Sequence, residues 1–571
     1  MIGGLFPSLR GYRREWLRGD VLAGLTVWAV LIPESLAYAS IAGVSPVVGL
    51  YAAPGALLLY ALFGSSRHLV VGPMSATAAL SAATVGDLVA GSGGHFAAMT
   101  AALAICVGLA ALIAGLARLG FLASFISEPV LKGFIVGLAL TILVGQLPKL
   151  FGVSGGEGEF FDKLWDLLGK LGDTHVLTLV VGLASLALVL GLRRVAPIVP
   201  GSLAAVLLSV LAVAVFGLDD HGVAIVGHID SGLPSFGTPG GLDLRDYGDL
   251  AGGAVAVMLV GFAEGLGAAK TYAARHHYEI DTNRELIGLG AANVAAGLSS
   301  GMVVNGSLSK TAVNGSAGAN SQVSGLVVAV MTIVTLLLLT GLFEQLPEAT
   351  LSAVVIAAVV ELIDVRSLRS LYATYSGRLG GFANVTARPD FIAAVAALLG
   401  VLLFDTLPGL VIGIAVSFVL LLYRASRPYV AVLGRIPGDR ELYGDVARHP
   451  DNVQPDGVVV LRVESALFFA NADAVRAELR RHAAWRGVHT IVLDAEAVAS
   501  IDVTAVKMLD EAASDCRRRG VALLIAQDSG QVRDMLRRGG AQDLQDDAYP
   551  TVAAAVAAAQ ATHRAGGARE R

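Results

Sequence analysis

A seven-residue phrase of small and hydroxylated residues occurs twice, as Gly72-Pro73-Met74-Ser75-Ala76-Thr77-Ala78 and as Gly306-Ser307-Leu308-Ser309-Lys310-Thr311-Ala312, both G-x-x-S-x-T-A. Each opens an apolar run too short, and too rich in Gly, Ser and Thr, for an ordinary lipid-facing helix. Paired, interrupted segments of this kind point to a transporter's substrate site. Unpaired backbone N–H groups are tolerated at membrane depth only against protein or a water-filled cavity. Two half-helix N-termini facing each other would form a positive pocket for an anion, with Ser75, Thr77, Ser309 and Thr311 adding hydroxyl donors. Ala76 and Leu308 offer backbone donors, and Lys310, in the second copy alone, adds a charge.

Acidic residues keep step with the repeat. Pro33-Glu34-Ser35-Leu36 precedes the first copy and Ala263-Glu264-Gly265-Leu266 the second, at nearly the same offset. One copy alone is better explained by close helix packing; the recurrence of both phrases carries the site reading. An intramembrane ionisable group marks a functional site by default, so Glu264 and Glu34 are the candidates for binding a coupling ion. The plainer readings are an ion pair between Glu264 and Lys310, and a Glu34 that bonds backbone freed by Pro33. Gly72-Pro73 suits a helix start with proline in its first position, and Tyr38 and Phe262 read as core.

The elements that position these residues follow from composition. Of 571 residues, 55% are hydrophobic and only 15% charged, and 68 are glycine, a bias toward a multispanning membrane protein. The net charge of −5 favours neither nucleic acid nor a strongly charged partner. Two cysteines, Cys106 and Cys516, support no disulfide framework or Cys-based metal site, and the histidines, His276-His277 included, show no ligand spacing. No metal site or resident cofactor is expected. The first apolar segment lacks a cleavage signature and reads as a retained span.

Apolar windows give about fourteen segments in two sets of seven. The first set lies near 21–40, 47–64, 72–87, 97–117, 129–147, 175–192 and 198–217. The second lies near 251–272, 285–300, 305–318, 322–342, 349–363, 389–404 and 409–424. With a cytoplasmic N-terminus, one set of connections receives Arg10, Arg13, Arg14, Arg18, Arg67, Arg118, Arg193, Arg194, Arg366, Arg369, Arg378 and others, while the outer set receives only Lys149, Lys163, Lys170 and Arg245. That asymmetry is the positive-inside pattern. Seven spans per half send the halves through the bilayer in opposite senses, an inverted repeat over approximately 20–217 and 250–425. The outer stretch Val226 to Pro234 reads as an ordered loop. After Arg427-Pro428 charges become frequent and apolar runs shorten, at Val458 to Val463, Thr490 to Leu493 and Val521 to Ala526, with amphipathic helices near Ala472 to His482, Val503 to Arg518 and Ser529 to Gly539. The chain thus divides into a membrane domain, 1–428, a soluble α/β domain, 429–560, and a tail, 561–571, expected to be disordered. Asp502 in Ser500-Ile501-Asp502-Val503-Thr504 reads as a helix cap.

These residues resemble the SulP family of anion transporters, which includes prestin and pendrin, over nearly the whole chain. The phrases that carry the likeness are Asp20 with Ala23-Gly24-Leu25-Thr26-Val27, Pro33-Glu34-Ser35-Leu36-Ala37-Tyr38-Ala39, Gly49-Leu50-Tyr51, Ser66-Arg67-His68, and Asn283 with Glu285-Leu286 and Asn293. Residues 440–560 are similar to a STAS domain, with Leu467-Phe468-Phe469-Ala470-Asn471-Ala472 in the form that domain takes in SulP proteins. The resemblance implies a seven-plus-seven inverted repeat, a core domain moving against a gate domain in elevator fashion, and a homodimer. It implies that Lys310 stands where plant-type sulfate transporters of the family carry Arg; Lys offers a point charge in place of a planar fork. It implies that Glu264 couples transport to a cation, and that Thr504 matches a phosphorylated Ser of STAS anti-sigma-factor antagonists, making Asp502 and Thr504 regulatory candidates.

The function expected is proton-coupled uptake of an inorganic oxyanion, sulfate first, by a multi-pass protein of a bacterial-type inner membrane with both termini cytoplasmic. Lys310 and ionised Glu264 cancel, so a dianion leaves two buried negative charges unless Glu264 takes a proton. Sodium-coupled bicarbonate uptake, with Glu264 and Thr311 as ligands, and dicarboxylate transport are the alternatives. A membrane-anchored STAS module that binds a cytoplasmic protein is the reading from another class. No enzyme motif stands in a suitable context.

Overall fold

The computed structural model describes residues 6–9, 11–89, 95–121, 127–156, 158–196, 199–229, 231–360, 362–363, 383–404, 406–541, 544 and 548–569. Arg10, Arg366, Arg369 and Arg378, counted above for orientation, lie outside them, as does Asp230 of the loop from Val226 to Pro234. The chain separates into two compact units, Met1–Ser417 and Phe418–Arg571, a division inside the last apolar helix, whereas the sequence boundary stood at 428.

The first half of the membrane unit runs α1 (Leu17–Ile41), α2 (Pro46–Phe63), β1 (Val70–Gly72), α3 (Ser75–Val89), α4 (Phe96–Leu116), α5 (Glu128–Phe151), α6 (Phe160–Lys170), α7 (Val176–Val195) and α8 (Gly201–Phe216). The second runs α9 (Leu244–Arg275), α10 (Thr282–Leu298), β2 (Asn305–Ser307), α11 (Leu308–Ser316), α12 (Val323–Val334), α13 (Glu348–Val360), α14 (Ala383–Phe404) and α15 (Thr406–Ala425). Among the described residues, with the amphipathic α6 set aside, both halves read long helix, helix, strand, short helix and four more helices. Among the described residues eight helices are long and apolar enough to cross a membrane, and three more are apolar but shorter.

Local chemistry sets the helix ends. Asp243 and Asp281 cap α9 and α10 by accepting from first-turn N–H groups, and Ser307 caps α11. Gly152 and Gly217, at φ 70 and 57, end α5 and α8 in the left-handed conformation. The helical path after α12 loosens into a π turn at Thr335–Leu339, and the Trp28 indole donates to Thr335 Oγ1 at 3.0 Å beside it.

Two packed groups emerge. Helices α1, α2, α4, α9, α10 and α12 pack on one another around β1 and β2, while α5, α7, α8, α13 and α14 form a second set. Small residues permit the close approaches: a Cβ added at Gly133 of α5 would stand 2.0 Å from the Ala394 carbonyl oxygen of α14. Gly133→Ala is therefore expected to lower the unfolding midpoint of the detergent-solubilised protein by the equivalent of about 1–3 kcal/mol or more.

The soluble unit has a six-stranded sheet in the order β4-β3-β5-β6-β7-β8, built from β3 (Val430–Arg435), β4 (Tyr443–Asp445), β5 (Val458–Val463), β6 (Thr490–Asp494), β7 (Ala522–Ala526) and β8 (Ala548–Tyr549). β3 pairs antiparallel with β4 and β5; the remaining pairs are parallel. Helices α16 (Ala472–Ala483), α17 (Val503–Arg518) and α18 (Gly530–Arg538) cover one face and α19 (Val552–Arg569) the other. The segment past Gln560, expected as a tail, continues the Ala-rich helix α19 to Arg569.

Candidate anion site

The twin phrases meet. β1 and β2 pair antiparallel with Val70 opposite Ser307, Val71 opposite Gly306 and Gly72 opposite Asn305, so the ladder sets the starts of α3 and α11 beside each other. This corrects one expectation: Gly72 and Gly306 lie in the strands, and Pro73 precedes α3 instead of opening it. Buried polar side chains fix the lead-in. Glu285 accepts from Tyr60 Oη, Ser65 N, Ser65 Oγ and Ser66 N at 2.7–3.0 Å. Gln322 Nε2 donates to Ser66 O and Leu69 O, and Asn314 Nδ2 to His68 O. Asn293 clamps the entry to β2 through Val304 N and O. Asp20 accepts from Asn320 N, Ser321 N and Ser321 Oγ, tying α1 to the start of α12. His276 stacks on His68 at 4.1 Å.

Lys310 projects from the first turn of α11 and is 1% exposed. Its Nζ lies 2.8 Å from Glu34 Oε2 of α1, donates to Pro73 O at 3.1 Å, and stands 5.0 Å from the centre of the Tyr38 ring. The carboxylate at Lys310 is thus Glu34, and not Glu264 as the plainer reading of the sequence had it. Glu34 and Tyr38 are one turn apart on α1, on the same face, so a helix that buries one directs the other to the same place.

Glu264 sits on α9 with Oε2 buried and without a hydrogen-bond partner. Its neighbour Gly265 runs against β2, where an added Cβ would lie 2.9 Å from Asn305 Oδ1. Asn305 Nδ2 is also buried and unpartnered.

The other candidates divide. Ser75, Ala76 and Thr77 are buried at the start of α3, with Thr77 Oγ1 donating to Met74 O. Leu308 and Ser309 are exposed at the start of α11, where the Ser307 and Ser309 hydroxyls lie 3.1 Å apart. The Thr311 hydroxyl donates to Ser307 O and accepts from Val70 N, fastening the ladder to α11. A cavity of about 860 Å³ runs along α3 past Ala79, Ala83 and Gly86 and is also lined by Gln146, Lys149 and Lys163. Sequence reasoning missed the Pro73 carbonyl and Asn305; nothing in residue type marks a carbonyl, whereas the position of Asn305 just before the repeated phrase was a usable signal.

A family model for the sulfate permease family matches residues 17–377, and one for the STAS domain matches 449–555. The chain belongs to the sulfate permease family. Among family members with curated descriptions, a probable sulfate transporter of Mycobacterium tuberculosis is 38% identical over 559 residues, covering 96% of this chain and 97% of the relative. High affinity sulfate transporter 1 of Stylosanthes hamata is 31% identical over 592 residues, covering 97% of this chain and 86% of the relative. The family fold is also seen in the murine Solute Carrier 26 family member A9 anion transporter in the inward-facing state, with a TM-score of 0.85 at 22% identity over 97% of this chain and 93% of that one. The protein is thus a multi-pass helical membrane protein of this family, with a STAS domain after its last apolar helix.

In the STAS domain Asp502 caps α17 through Ala505 N at 2.8 Å and accepts from Phe469 N at 2.8 Å, so both carboxylate oxygens are engaged in structure. Thr504 is exposed in the first turn of α17. Asp502→Ala is expected to destabilise this domain by about 1–2 kcal/mol, and Asp502→Asn by much less, in the denaturant midpoint.

Proposed function

We propose that this protein is a secondary transporter of an inorganic oxyanion, sulfate first, moved inward with protons. The observation that carries the reading is the buried Lys310 at the meeting of two half-helix starts held by the β1–β2 ladder. Backbone N–H groups at Ser75, Ala76, Thr77, Leu308 and Ser309 surround the same place and favour a negative ligand. The relatives named as sulfate transporters support sulfate as the substrate.

Glu264 is the proposed proton carrier. It lies beside β2 with an unpartnered buried oxygen, and the ammonium that could have neutralised it is paired elsewhere. With both Glu34 and Glu264 ionised, the pocket holds one more negative charge than positive before a substrate arrives. A proton on Glu264 removes that excess and lowers the cost of admitting a dianion at membrane depth.

The two packed helix groups support movement of one, with the site, against the other. In this reading the protein is a homodimer in a bacterial-type inner membrane with both termini cytoplasmic, and its STAS domain meets a cytoplasmic protein. Uptake of labelled sulfate, bicarbonate and fumarate into proteoliposomes, under imposed proton or sodium gradients, tests substrate and coupling together. Saturable sulfate uptake driven by a proton gradient is the expected result; bicarbonate or fumarate flux driven by sodium contradicts it.

A further inference from the structure

The Lys310 ammonium is fully engaged by groups of its own chain. Glu34 Oε2, the Pro73 carbonyl and the Tyr38 ring surround it, and both members of the ion pair are buried, Lys310 at 1% exposure and Glu34 at 4%. Glu34 Oε2 has no hydrogen-bond partner beyond this ionic contact, so charge, and not a wider polar network, holds it there. Beside this closed pair, Leu308 and Ser309 at the head of α11 are exposed. The cation assigned to attract a substrate anion is already neutralised by an anion from its own chain.

We propose that Glu34 is a tethered counter-anion, which holds the anion position at Lys310 in the empty carrier and is exchanged for the substrate when it binds. The inference rests on the transport reading above and names how that same site is regulated. An unpaired ammonium buried at membrane depth is costly, so a carrier without a counter-anion would be destabilised each time it emptied. A carboxylate from α1 supplies charge and oxygen ligands of the same chemical class as an oxyanion. Because substrate gains access only to the fraction of carriers in which Glu34 has withdrawn, the apparent dissociation constant is the intrinsic one divided by that fraction.

The test is Glu34→Gln, which keeps the shape and removes the charge. Sulfate Kd, measured with labelled sulfate on purified full-length protein, and uptake KM are expected to fall at least ten-fold, with no rise in Vmax. Sulfate is also expected to raise the variant's unfolding midpoint by more than it raises the wild type's. Glu34→Asp should move Kd the same way by less, and it decides the question if the Gln variant is stable only when purified in sulfate. Glu34→Gln combined with Lys310→Gln should fold and bind no sulfate. A folded Glu34→Gln protein with wild-type or weaker sulfate binding overturns the inference. If the wild type binds bicarbonate or fumarate instead, the substrate assignment fails, while the Glu34 prediction is read with that anion. If neither the wild type nor the variant binds any of the three, both fail.

Discussion

Lys310→Ala is expected to abolish saturable anion uptake: the lost charge-assisted contact, worth roughly 1.5–3 kcal/mol, alone costs roughly 10- to 150-fold in Vmax/KM, and among the described residues no second cation is paired with Glu34. The substitution also leaves Glu34 buried and unpaired, a change that costs about 3–5 kcal/mol where it is not relieved. Lost transport and lost folding must therefore be separated. Lys310→Ala with Glu34→Ala removes both charges, and it should recover the unfolding midpoint without recovering uptake. Lys310→Arg keeps the charge but swaps a point ammonium for a planar fork, so it should retain uptake and change the ranking of sulfate against other anions. Recovery of uptake in the double Ala variant would show that the half-helix starts suffice without a cation.

Glu264→Gln is expected to give a transporter that still takes up anion but no longer responds to a pH gradient. In the wild type, uptake should rise as the outside is made more acid than the lumen, since protonation must precede loading of a dianion. Gln has the shape of the protonated carboxyl and cannot lose the proton, so the variant's uptake should be the same with and without the gradient. Wild-type proton dependence in this variant would remove Glu264 from the coupling role. Because Glu264 Oε2 has no hydrogen-bond partner, the substitution breaks no existing contact there, and stability is expected to be retained.

Much of this arrangement was readable from residue order. The G-x-x-S-x-T-A phrases located the two short helices because Gly, Ser and Thr at the head of an apolar run are costly against lipid. Hydropathy then placed the long apolar helices, although α9 starts at Leu244 and not near 251, and α14 at Ala383 and not near 389. What the sequence left open was pairing across long separations: Lys310 had two carboxylates in reach, both α1 and α9 pack on α11, and the ion pair is made to Glu34 of α1. The second role of Thr311 was not readable either: hydroxyls serve ligands and backbone alike, and its hydroxyl fastens the ladder. The ladder itself was invisible, since three-residue strands carry no periodicity. In the soluble domain β5, β6 and β7 and their helices were legible from apolar runs, while β3, β4 and β8 were not; β4 and β8 are short, and both lie at sheet edges.

The measurement that bears most directly on the central claim is initial-rate uptake of labelled sulfate into proteoliposomes holding wild-type or Lys310→Ala protein, each with and without an inward proton gradient. Saturable uptake by the wild type, accelerated by the gradient and absent in Lys310→Ala under both conditions, is the predicted result. Equal uptake by the two proteins would contradict the account.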